Sequence, residues 1–148
     1  MIETTGLKTR SGLTFTTDVA GPADGPLVLL LHGFPESRHS WREALTALAS
    51  TGFRAVAPDQ RGYSPGARPA PADLANYAFD KLIDDAIEIA AAAGHADKRF
   101  HLVGHDWGGQ VSWGVAGKYP DRLASLTILS RPHPSSFRRA LLNEAGDQ

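Results

Sequence analysis

Apolar and polar positions divide the chain into short elements. Leu7 to Thr17 alternates loosely and predicts a hairpin turning at Ser11-Gly12. Leu27 to Leu31 is apolar at every position and lies between Gly25-Pro26 and Gly33, the pattern of a strand buried on both faces. Helical spacing follows. Trp41, Ala44, Leu45, Leu48 and Ala49 fall on one stripe, Ser40 and Glu43 are placed as a capping box, and Gly52 as the stop. Phe53 to Ala57 predicts the next strand, and the Pro/Gly-rich stretch Pro58 to Ala72 a long loop. Phe79, Leu82, Ile83, Ala86, Ile87 and Ala90 form a second apolar stripe that Gly94 ends. Phe100 to Val103 predicts a strand, Gly108 to Lys118 a helix, and Leu123 to Leu129 a last strand. Strands alternating with amphipathic helices imply the α/β class: a mostly parallel sheet with helices on both faces. Ligand sites in such sheets lie beyond the carboxyl ends of the strands.

Composition narrows the function. The 148 residues suit one domain, and 15 Lys plus Arg against 16 Asp plus Glu give no long-range pull toward nucleic acid or anionic lipid. No cysteine is present, which excludes disulfides, thiolate nucleophiles and cysteine-held metals. The opening MIETTGLKTR lacks the apolar core of a signal peptide, and the aliphatic run Leu27–Leu31 is far short of the ~18 residues that span a bilayer. A cytoplasmic protein acting on no membrane is expected.

The residues after the strands carry the chemistry. Phe100 to Val103 leads into Gly104-His105-Asp106-Trp107-Gly108-Gly109 and then a helix, the G-x-S-x-G nucleophile elbow with Asp in place of Ser. A sharp strand-to-helix turn would push Asp106 to the top of the sheet. Side chains at Gly104 and Gly108 would collide with backbone. The helix start behind Asp106 favours an ionised carboxylate, the nucleophilic form. His32-Gly33-Phe34-Pro35 follows the first buried strand, and in an elbow of this kind the two oxyanion-hole N–H groups would be those of Phe34 and Trp107. That leaves His32, Pro35 and the Trp107 side chain as pocket-lining candidates. A cis Phe34–Pro35 bond is expected in so tight a turn.

HGFPES followed by SWR, APDQRGYS, VGHDWGG and YPDRLASL together resemble the α/β-hydrolase superfamily, in its epoxide hydrolase and haloalkane dehalogenase branch. The resemblance runs from Leu27 onward. It implies that Asp106 attacks an electrophilic carbon to give an enzyme ester, which a His-activated water then hydrolyses. It implies no cofactor, and a small hydrophobic epoxide or related electrophile as substrate. Dehalogenases of this type place Asn at the position of Phe34, and fluoroacetate-type enzymes place Arg at that of Trp107. The match to epoxide hydrolases is therefore the better one, with a haloalkane dehalogenase-like enzyme as the alternative.

The motif requires an acid and a His after the nucleophile. Only His133 follows Asp106, with Asp121, Glu144 and Asp147 as the later acids, and His133 does not match the family's catalytic position. The family's proton-donating tyrosines belong to a lid, whereas Tyr63, Tyr77 and Tyr119 all come earlier. Residues 1–148 thus read as the N-terminal part of a hydrolase core ending near the start of the lid. That part is expected to be impaired in turnover and to carry an open sheet edge through which copies could associate; a non-catalytic fragment or pseudoenzyme is the second alternative. Elsewhere plainer roles are expected. His32 and His105 pack, and His101 and His105, roughly 13 Å apart along a strand, do not share a metal. Asp59 and Arg61 form a structural turn with an ion pair, Trp41 sits in the core, and Arg138-Arg139 lies on a solvated helix face. Neither G-x-G-x-x-G nor G-x-x-x-x-G-K-[ST] occurs, which speaks against a nucleotide-binding domain.

Overall fold

The sheet is built outward from Leu27–Leu31, which is strand β3 in a computed structural model that describes residues 1–144. All five residues are buried, and alternation sends them to different cores. Leu27, Leu29 and Leu31 join one cluster, with Ile83, Ile89, Val111 and Val115. Val28 and Leu30 join a second, with Trp41, Leu45, Ala55 and Ala57. A strand covered on both sides has no polar face, hence its unbroken apolar run.

Strands β1 (Glu3–Lys8), β2 (Thr14–Ala20), β4 (Arg54–Pro58), β5 (Phe100–His105) and β6 (Leu123–Leu129) complete a six-stranded sheet ordered β1-β2-β4-β3-β5-β6. β3 to β6 are mutually parallel, while β1 and β2 form an antiparallel hairpin joined to β4. Helix α1 (Arg42–Ser50) covers one face, and α2 (Phe79–Ala90) and α3 (Trp107–Lys118) the other. Helix α4 (Pro134–Glu144) follows β6 and exposes Arg138 and Arg139 to solvent, as expected. The mostly parallel sheet with helices on both faces is the architecture that the patterning implies. No described helix is long and apolar enough to cross a membrane.

Several boundaries differ. Ser40 and Glu43 form no capping box. Arg38–Trp41 is a single 3-10 turn, and α1 starts after it at Arg42 with no side-chain cap. Burial of Trp41 in the α1-side core sets that entry, outweighing one capping hydrogen bond. At the other end Gly52 does stop α1, with φ +88°, while the N–H groups of Gly52 and Phe53 return to the carbonyls of Ala49 and Leu48. β4 begins one residue later than Phe53 because Arg54 N–H pairs with Pro26 O at 2.9 Å. Asp59 and Arg61 do not pair with each other. Arg38 takes Asp59, and Arg61 makes a two-pronged bond with Asp85, both contacts at 2.7 Å.

Candidate active site

Asp106 sits where β5 turns into α3, at φ +49° and ψ −112°, a conformation that non-glycine residues rarely adopt. Two close approaches hold the turn. A Cβ on Gly104 would strike the Gly108 carbonyl and the Ser112 hydroxyl, and one on Gly108 would strike the carbonyls of Leu31 and His32. Strain of this kind persists only where the surroundings enforce it, and it is concentrated at functional sites.

The loop after β3 meets the elbow. A Cβ on Gly33 would lie 2.7 Å from Asp106 Cβ, so glycine lets the two segments touch. Phe34 N–H donates to Asp106 Oδ1 at 3.0 Å. Together with the backbone N–H of Trp107 it holds the carboxyl below the ordinary carboxylate range, against a smaller opposing effect of burial; the charges of Arg131 and His105 add to it. The two N–H groups expected to face an oxyanion thus face the carboxylate. Phe34–Pro35 is cis. Phe34, Pro35 and Trp107 are exposed around Asp106, whose own side chain is one-third exposed, so a molecule can reach it.

His32 works from behind. It is fully buried, its Nδ1 bonds Gly33 O at 2.9 Å, and its Nε2 accepts from Gln60 N–H at 3.2 Å. Gln60 Nε2 returns a bond to His32 O at 2.6 Å, and Tyr63 packs edge-on against the ring. Burial lowers the pKa of His32, which keeps the ring neutral, with the proton on Nδ1. His32 therefore positions the loop and presents no surface to a pocket.

Two further features depend on contacts between distant residues. Glu36 accepts from Gly33 N–H and from His105 Nδ1, each at 3.0 Å, and the Gly33 bond chiefly holds its pKa down. With Ser40, Trp41 and Leu129 this pair lines a cleft of about 230 Å³ beside the elbow. Arg131, just after β6, places Nη2 3.6 Å from Asp106 Oδ2 and Nε 3.4 Å from Asp106 O. Glu36 was visible only as part of HGFPES, and Arg131 carried no signal at all. His133 lies edge-on to Trp113, and His101 bonds Ser125. A larger cleft of about 310 Å³ between Lys8, Arg10, Glu88 and Arg122 shares no residue with this site.

Residues 26–145 match the family described as alpha/beta hydrolase fold. The chain belongs to the α/β-hydrolase fold family. Its relatives include epoxide hydrolase 4 of Mus musculus, 43% identical over 132 residues, covering 89% of this chain and 35% of that protein. The AB hydrolase superfamily protein YfhM of Bacillus subtilis is 40% identical over 124 residues, covering 84% of this chain and 42% of its own. Among solved structures, epoxide hydrolase A from Mycobacterium thermoresistibile superposes with a TM-score of 0.80 at 34% identity, over 95% of this chain and 45% of that one. This chain thus spans 35–42% of the length of the two curated relatives.

Proposed function

We propose that this chain carries the nucleophilic half of an epoxide hydrolase-type site, with Asp106 as the nucleophile and the Phe34 and Trp107 N–H groups as its oxyanion hole. The observation that carries this is the unequal treatment of the two carboxylate oxygens. Oδ1 is held by Phe34 N–H, which leaves Oδ2 to attack. Attack on an oxirane carbon forms the Oδ2–C ester bond and breaks the ring C–O bond, whose electron pair goes to the departing oxygen and takes up a proton. Oδ1 becomes the ester carbonyl. Water adding at Cγ would then place negative charge on Oδ1, where the Phe34 N–H already points. Epoxide hydrolase relatives at 43–44% identity support the choice of electrophile. A base to activate that water is assigned to no residue of 1–148, so the second step is expected to be slow. The whole protein is accordingly proposed to be an epoxide hydrolase of which residues 1–148 are the N-terminal core, ending near the lid.

The test is to incubate the chain with styrene oxide and follow both intact protein mass and diol. The reading expects a mass gain of one oxirane per chain with little diol released. Sustained diol release by this chain would overturn the assignment of the base to residues outside 1–148, and no adduct would overturn the nucleophile.

A further inference from the structure

Arg131 lies against the nucleophile in a segment that is held there deliberately. Ser130 before it takes φ +52°, an uncommon conformation for serine. Trp113 Nε1 donates to Arg131 O at 3.3 Å, and the His133 ring packs on Trp113 at 4.8 Å, so α3 fixes the segment at the arginine and just after it. The guanidinium reaches back over the elbow. Nε touches the Asp106 carbonyl at 3.4 Å, and Nη2 lies 3.6 Å from Oδ2, an ion-pair distance too long for a good hydrogen bond. Among the described residues, no acceptor lies within hydrogen-bond distance of either terminal nitrogen. The Arg131 side chain is 39% exposed and that of Asp106 33%, which leaves both open to solvent at one site. The nearby Glu36 carboxylate and His105 ring bond to each other.

A planar fork with its terminal donors unfilled, beside the attacking oxygen, matches a carboxylate bound two-pronged. Resting on the assignment of Asp106 as nucleophile, we infer that Arg131 makes this site selective for oxiranes bearing a carboxylate on, or next to, the attacked carbon. Such a substrate brings negative charge toward Asp106, and Arg131 is the group placed to offset that repulsion. A neutral oxirane gains nothing from the fork. The bonds made and broken are those of the neutral case. Oδ2–C forms, the ring C–O breaks, and its oxygen takes a proton from water.

The experiment measures adduct formation by intact mass with 3-phenylglycidate and with its neutral methyl ester, in wild type, Arg131→Gln and Arg131→Lys. In wild type the carboxylate compound is expected to react about tenfold faster than the ester, one charge-assisted fork being worth roughly that factor. Arg131→Gln should abolish or invert that preference, read as the glycidate-to-ester ratio within each protein, and Arg131→Lys should restore part of it. An ester rate equal to or above the glycidate rate in wild type overturns the inference and leaves the nucleophile standing. If neither compound reacts, the nucleophile assignment has failed, and a titration with unreactive phenylacetate, read from the Arg131 Nε–H resonance, decides the rest. Saturable binding in wild type that Arg131→Gln abolishes supports a carboxylate site, and no binding overturns it.

Discussion

Arg38 ties together the two segments that frame the nucleophile. It extends from the loop that carries Phe34, its N–H and Nη1 bond Asp59 after β4, and its Nε bonds Asp18 on β2 at 3.0 Å. The Asp18 side chain is fully buried and that of Asp59 is 10% exposed. Replacing Arg38 by Met keeps much of the stem and removes the cation, leaving both carboxylates without their main partner. Breaking a buried pair in this way costs about 3–5 kcal/mol. With a urea slope of about 1–3 kcal/mol per molar, the unfolding midpoint should fall by roughly 2 M. The loss should depend on pH in a definite direction. Burial pushes the Asp18 pKa up, but the Thr4 hydroxyl and Arg38 together outweigh it and hold the carboxyl below its ordinary value. A depressed folded pKa contributes stability above the unfolded value of about 3.9, and that contribution is lost as pH falls through the folded value. The gap between wild type and Arg38→Met should therefore be full at pH 7 and narrow below pH 4. Asp18→Asn placed in the Arg38→Met chain should recover part of the loss at pH 7. Urea unfolding of the three proteins at several pH values is the assay. A deficit under about 1 kcal/mol at pH 7, the size of an exposed ion pair, would refute the reasoning, as would a gap that does not narrow in acid.

Other expectations follow from the same geometry. Gly108→Ala should destabilise by about 1–3 kcal/mol or more, because its methyl meets the backbone of Leu31 and His32, while Gly117→Ala, with open space around it, should stabilise α3 by about 0.5–1 kcal/mol; thermal melts of the two variants check the contrast. Because two backbone N–H groups hold Asp106 ionised below the ordinary carboxylate range, its alkylation rate should stay level from pH 7 down to about pH 4 and fall only in stronger acid, as read from adduct formation against pH. β6 ends the described sheet with one edge unpaired, so sedimentation should show association that grows with concentration, and Thr127→Lys on that strand should weaken it.

The sheet was legible because its strands have different surroundings. The unbroken Leu27–Leu31 run marks a strand buried on both faces, and Leu123–Leu129 was placed at its observed bounds. The elbow was legible because glycines at 104 and 108 meet a local steric demand that leaves a sequence signature. The cis bond at Pro35 followed from the tightness of the turn. The helix start at Arg42 was misjudged because Trp41 answers to the core rather than to a capping pattern. Glu36 with His105, and Arg131 with Asp106, lay out of reach for another reason. These pairs stand 69 and 25 residues apart and meet only through the packing of β3, β5 and β6 side by side. His32 shows the same limit. Its motif marked it as near the site, but only the structure shows that Gln60 and Tyr63 enclose it behind the loop.

The most direct test of the central claim is to locate the adduct. After reaction with styrene oxide, peptide mapping by tandem mass spectrometry should place one oxirane on Asp106 as an ester, absent from Asp106→Asn. A label on a histidine or any other carboxylate, or one that persists in Asp106→Asn, would contradict it.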